Sequence, residues 1–172
     1  MGLLKKLSPP RQALFAFFFL LLFPFPVPLH ADTAFLRRLA DQPVANFGDA
    51  VSIVTHFLNQ ETKRSDFESQ RDFLRQQGIL SKRLAVKKAD QVIQKGELAE
   101  MAIKTLGIRG GITLRLARPW NENFLSRYFF QRYALKEAVF LKLMKDEDIR
   151  SVVSGAELIS TVSKMSEYRS DE

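Results

Sequence analysis

Apolar and polar positions recur along most of this chain with the period of a helix. Val51, Val54, Phe57 and Leu58 lie at helical spacing behind Asp49, which reads as an N-cap, and predict one buried stripe. Ser65-Asp66-Phe67-Glu68 has the order of a capping box, in which a serine and a glutamate each satisfy an orphan backbone N–H at a helix start. The helix it opens buries Phe67, Phe73 and Leu74 and ends at Gly78, which is free to take the left-handed C′ conformation. Beyond a basic stretch from Ser81 to Lys88, the spacing predicts a helix over Gly96 to Leu106 that presents Leu98, Met101, Ala102 and Thr105 and is closed by Gly107. Asn121 to Leu143 reads as the longest helix, and Ser154-Gly155-Ala156-Glu157 as a second capping box opening a last helix to about Glu167. Thr33 to Leu39 predicts a short amphipathic helix ahead of a linker marked by Pro43. Only Ile112, Leu114 and Leu116, alternating with Thr113, Arg115 and Ala117 behind Gly110-Gly111, follow the period of a strand. The fold class these elements imply is mainly α: a small helical domain of helix–loop–helix units with one short extended segment.

The N-terminus departs from this pattern. Lys5, Lys6 and Arg11 precede an unbroken apolar run from Ala13 to Phe23, prolines stand at 24, 26 and 28, and Ala31 offers a small residue before a cut. That order predicts a cleaved secretion signal over residues 1–31. As a membrane anchor the run is short, since about 20 apolar residues are needed to cross a bilayer. The predicted organisation is then a signal peptide at 1–31, a short helix and linker at 32–48, the helical domain at 49–168 and a frayed tail at 169–172. Cleavage would remove three of the 26 basic residues and none of the 19 acidic ones, lowering the net charge from +7 to +4. This modest excess suits anionic envelope polymers better than nucleic acid. The chain has no cysteine, so its stability must come from packing, and a thiolate nucleophile, a cysteine-ligated metal and a lipid-modified N-terminal cysteine are excluded.

Two helix starts resemble each other. Lys95-Gly96-Glu97-Leu98-Ala99 and Ser154-Gly155-Ala156-Glu157-Leu158 each follow an apolar helix and a loop, with the glutamates 60 residues apart, as expected of a unit used twice. Over about residues 50 to 167 the chain resembles the S-layer homology domain, whose repeat is a helix, a turn reading roughly Gly-Ile-Ile, a loop, and a helix opening with a Thr-Arg-Ala-Glu-like motif. Gly78-Ile79-Leu80 stands at the place of that turn and Gln94-Lys95-Gly96-Glu97-Leu98-Ala99 at the place of that motif. The resemblance implies attachment to cell-wall polysaccharide, with Lys95 as a ligand contact and Glu97 as a helix-start capping residue. The family commonly uses three units; two are legible here, and Ser154-Gly155-Ala156 supplies no cation.

Arg109, Arg115, Arg118, Arg127 and Arg132 interleave with Trp120, Phe124, Tyr128, Phe129, Phe130 and Tyr133, a mixture suited to anionic glycan because aromatic faces stack on sugars and guanidinium grips carboxylates. The i, i+4 spacing of these aromatics also fits a helix buried against the core, with Leu125, Phe129 and Tyr133 as one of its stripes. The expected ligand-binding residues are Lys95, Arg109, Arg115, Arg118 and Trp120, with Lys95 and some of the three arginines lining a shallow basic groove. His56 stands alone and reads as structural, Glu97 as a first-turn residue favoured by the helix dipole, Glu100 as solvated surface, and Asp146-Glu147-Asp148 as an acidic turn. No catalytic residue, metal site or cofactor is assigned. The expected function is an exported, non-enzymatic cell-envelope binding domain, periplasmic or at the cell surface. Its partner would be a wall polymer or envelope protein, with no nucleic acid and with membrane contact only through the signal segment. The alternatives are an adaptor using its aromatic helix, or a wall-glycan hydrolase with Glu97 or Glu157 as acid.

Overall fold

The computed structural model describes residues 30–58, 66–108 and 124–170. The chain divides into two compact units, Met1–Thr33 and Ala34–Glu172, and the elements below belong to the second, α1 beginning in the last residues of the first. Among the described residues there are six α-helices and no strand: α1 His30–Ala40, α2 Phe47–Phe57, α3 Phe67–Gln76, α4 Lys95–Thr105, α5 Phe124–Phe140 and α6 Gly155–Ser170, with a 3-10 turn at Leu84–Val86. The mainly helical expectation is met. The predicted signal and the extended arm at 112–117 lie outside the described residues, and the expected cut after Ala31 falls in the first turn of α1. Among the described residues no helix is long and apolar enough to cross a membrane.

In chain order the helices form three successive helix–loop–helix units, α1–α2, α3–α4 and α5–α6. Each second helix starts from a short extended segment, and the three segments meet. The Ala45 N–H donates to the Val153 carbonyl at 2.7 Å, the Val153 N–H to that of Ile93 at 3.3 Å, and the Ile93 N–H to that of Ala45 at 3.3 Å, closing a ring. Outside the ring, Phe47 N–H reaches Gln91 O, Lys95 N–H reaches Ser151 O, and Gly155 N–H reaches Gln42 O. Shifts of 48 and then 60 residues map the ring contacts onto one another, and the outer contacts too except that the acceptor for Gly155 falls one residue early, at Gln42, so the arrangement is pseudo-threefold. Each segment supplies one donor and one acceptor to the ring, so all six of these buried backbone groups are satisfied. Alternation does the rest. Ala45, Ile93 and Val153 point inward and are fully buried, while their neighbours Val44, Val92 and Val152 are exposed.

Packing follows the same order. α2 lies against α3 and α4 against α5, so the second helix of one unit meets the first helix of the next, and α6 touches both α2 and α4. Val51, Val54, Leu98, Met101, Phe130, Leu135 and Leu158 converge in a single core, each fully buried or nearly so. α4 is buried along its whole length from Lys95 to Ile103 because it is covered by α5 and α6. The segment expected to be a linker is part of this unit, since Leu39 and Ala45 are fully buried.

Helix starts and stops differ from expectation in instructive ways. α2 is capped by Asn46, whose Oδ1 accepts the Asp49 N–H at 2.8 Å while Asp49 Oδ2 accepts the Asn46 N–H at 3.3 Å; Asp49 is therefore the third residue of a capping box rather than the cap. α3 is capped by Asp66 through the Ser69 N–H at 2.9 Å, one position after the expected serine, and that hydrogen bond holds the Asp66 carboxyl below the usual range. Gly78 and Gly107 have φ of +73° and +66°. The N–H of each following isoleucine reaches back to Leu74 O and Ile103 O, which is a Schellman ending. α5 stops at Phe140, short of the expected Leu143, by the same device with a lysine in the left-handed position: Lys142 has φ 59°, and Leu143 N–H bonds to Ala138 O at 2.8 Å.

Two substitutions test these points. An alanine Cβ at Gly155 would sit 1.6 Å from the Leu39 carbonyl oxygen, so Gly155→Ala is expected to cost more than about 3 kcal/mol in denaturant unfolding. Lys142→Gly relieves a left-handed non-glycine residue and is expected to stabilise by up to about 1 kcal/mol in the same measurement; a loss of stability would contradict the assignment of that ending.

Candidate functional site

The ring brings three helix N-termini to one region, with equivalent residues at each. The first helical positions are Phe47, Lys95 and Gly155, and the third are Asp49, Glu97 and Glu157. Acidic residues at the third position face the positive end of the helix dipole and carry an additional attraction for cations. Glu97 Oε2 accepts the Gln94 N–H at 3.0 Å, and Ser154 Oγ accepts the Glu157 N–H at 3.2 Å. The third copy, Asn46-Phe47-Gly48-Asp49-Ala50, is not legible as a repeat in the sequence.

The three junctions are neutralised in three ways. At Glu97 the cation comes from the preceding loop: Lys87 Nζ is 2.5 Å from Glu97 Oε2, donates to Val92 O at 2.7 Å, and lies 5.6 Å from the centre of the Phe47 ring. At Glu157 it comes from the previous helix start. Lys95, only 2% exposed, places Nζ 2.7 Å from Glu157 Oε1, an ion-pair distance outside hydrogen-bond angles, and 2.6 Å from Glu147 Oε2. At Asp49 the pairing is loose, with Arg38 at 4.0 Å, and Gly155 closes directly on Leu39 O.

Lys95 is thus not exposed on a shallow groove, as the sequence reading expects, but buried between two carboxylates. Burial by itself lowers the pKa of an amine, and it is the largest influence here; the close approach and negative charge of Glu147 and Glu157 together outweigh it and raise Lys95 above the ordinary 10.5. Arg109, Arg115, Arg118 and Trp120 lie outside the described residues, so the groove they were expected to complete is not described.

Open grooves flank the two lysine junctions. One, of about 460 Å³, is lined by Arg83, Val86, Lys87, Gln91, Val92 and Glu97. The other, of about 350 Å³, is lined by residues that include Lys145, Glu147, Ser154, Glu157, Ser160 and Lys164. Glu147 occupies the position equivalent to Lys87. The basic stretch at 81–88 therefore supplies a groove wall, a role its charge alone does not reveal.

The remaining candidates fall elsewhere. Glu100 is buried between α4 and α5, not solvated, paired with Lys104 at 2.7 Å and accepting from Gln131 Nε2 at 3.3 Å. His56 stacks on Phe35 with ring centres 6.0 Å apart. In the acidic turn, Asp146 pairs with Lys136 through both oxygens at 2.8 Å and Asp148 accepts the Arg150 N–H at 2.7 Å. Among the described residues no group of three or more metal-ligating side chains is assembled. On α5 the buried stripe is Phe130, Ala134, Leu135 and Ala138; Phe129 and Tyr133, expected inside, are exposed together with Phe140. No protein-family model, curated protein or solved structure matches the chain.

The Lys95 geometry carries a pH prediction. Because its folded pKa lies above the unfolded value, the stability Lys95 contributes is fully present below pH 10.5 and is lost as pH rises through the raised value. Lys95→Ala is expected to cost about 2–3 kcal/mol at neutral pH, by leaving Glu157 without its cation and opening a void. The difference between wild type and Lys95→Met should stay constant from pH 7 to the ordinary lysine range and shrink above it. Urea unfolding across that range measures this, and a difference that shrinks below pH 9 contradicts the pairing.

Proposed function

We propose that the protein is an exported, non-enzymatic binding domain of the cell envelope that attaches to an anionic wall polymer or to peptidoglycan through its junction grooves. The observation that carries this reading is the pair of equivalent grooves, each opening over a lysine–glutamate junction and each with basic residues on its walls: Arg83 and Lys87 in one, Lys145 and Lys164 in the other. Anionic chains are held by several such contacts acting together, since an exposed ion pair is worth only about 0–1 kcal/mol. The third helix start, at Asn46–Ala50, raises the number of units from two to three, the number common in S-layer homology domains, and so supports that resemblance. Export rests on the charged, apolar and small-residue order of residues 1–31. A hydrolase finds less support: Glu97 and Glu157 line different grooves and each is committed to a lysine and to a helix start, whereas glycan cleavage needs two carboxyl groups about 5–10 Å apart across one cleft.

A second reading, an adaptor docking a partner protein on α5, is favoured by one observation. Phe129, Tyr133 and Phe140 form an exposed stripe at i, i+4 and i+11, with Phe140 80% exposed.

Co-sedimentation with peptidoglycan sacculi separates the two. Wild type is expected to pellet at low salt and to be released at high salt, because exposed charges are screened over roughly 8 Å at physiological ionic strength. Arg83→Ala, Lys145→Ala, Lys164→Ala together should weaken retention about tenfold, the sum of three contacts of about half a kcal/mol. Retention unchanged in that variant but lost in Tyr133→Ser, Phe140→Ser would replace the polymer reading with the adaptor.

A further inference from the structure

Lys95 holds two carboxylates where the equivalent junction holds one. At Glu97 a single lysine, Lys87, meets a single glutamate. At Glu157 the position equivalent to Lys87 is Glu147, and the cation is supplied by Lys95, whose charge Glu157 alone would balance. Glu147 is therefore a surplus carboxylate, and its placement differs from that of its neighbour. Glu157 is fixed as the third residue of α6. Glu147 reaches in from the loop between α5 and α6 and is 46% exposed, while the ammonium it contacts at 2.6 Å is 2% exposed. The loop is tied back to α5 by the adjacent Lys136–Asp146 pair, so Glu147 can leave Lys95 without releasing the loop. It lines the 350 Å³ groove, between Lys95 and the open space.

We infer that Glu147 is a built-in shield: an internal carboxylate that occupies the Lys95 ammonium and gives way to a carboxylate carried by a ligand in the adjoining groove. The exchange is close to balanced. One carboxylate replaces another on the same ammonium, and Glu147, already half in water, recovers its hydration when it swings out. The shield lowers the apparent affinity for carboxylate-bearing ligands by the fraction of time it is closed, and it rejects neutral ones, which cannot replace the charge. The ligand class follows from the envelope-binding reading, but the shield itself is measured without it.

Competitive acylation of lysines in the purified full chain, read residue by residue in mass spectrometry, tests the inference with sodium glucuronate as probe. In Glu147→Gln and in Glu147→Ala, Lys95 should be labelled about fivefold faster than in wild type, with exposed Lys88, which lines neither groove, as unchanged internal standard. Glucuronate should slow that labelling in both variants more than in wild type, and N-acetylglucosamine should not. Labelling of Lys95 at the wild-type rate in both variants overturns the shield, as does faster labelling that glucuronate leaves untouched. If the labelling and protection are as expected but neither wild type nor Glu147→Ala is retained by sacculi, the shield stands and the envelope-binding reading falls.

Discussion

The fold turns on a closed ring of three backbone hydrogen bonds, Ala45 to Val153, Val153 to Ile93 and Ile93 to Ala45. Short extended segments are weak structures alone, because each exposes donors and acceptors along its edges. Arranged head to tail in a ring, three of them satisfy one another with no strand longer than a single bridge. The ring also dictates direction. Each segment runs straight into a helix start, so the three N-termini converge, the inward residues of the segments are buried in the core, and α2 and α4 are each delivered to the first helix of the next unit while α6 packs on both.

Convergence of three helix starts creates an electrostatic problem that the chain solves differently each time. Three acidic third positions lie close to the dipole ends of their own helices and near the segments of the neighbouring units. Phe47 at the first position leaves its junction to a loop lysine, Lys87, under an aromatic ring; Lys95 at the first position makes the loop lysine redundant, and a glutamate stands there instead; Gly155 lets the third junction close by backbone contact, leaving Asp49 to a distant arginine. Two junctions have open, basic-walled grooves beside them, and at the third Gly155 approaches the Leu39 carbonyl directly. The grooves, in this account, are a by-product of which residue stands at the first position of each second helix.

Much of the fold was legible because local signals agree with it. Gly78 and Gly107 mark helix ends that only a left-handed residue can make, and the glutamates of Lys95-Gly96-Glu97 and Gly155-Ala156-Glu157 mark helix starts. The misses share one cause, which is that tertiary contacts supplied what the sequence lacked. Lys142 takes a glycine's role where Leu143 and Met144 are anchored in the core, hence the expected helix overran. The third helix start was hidden by phenylalanine in place of lysine and aspartate in place of glutamate, and by a spacing of 48 residues against 60. Of the expected site, Lys95 and Glu97 were rightly placed at a helix start. Charge alone gave no sign that Lys95 and Glu100 are buried, because their partners, Glu147 and Gln131, come from another helix–loop–helix unit.

Native-state hydrogen exchange at Ala45, Ile93 and Val153 tests the central claim most directly. If the ring holds the three helix–loop–helix units together, the three amides exchange with one shared free energy of opening, equal to that of global unfolding. If any one of them exchanges through a lower-energy opening while the other two remain protected, the ring is a consequence of helix packing rather than the constraint on which the fold depends.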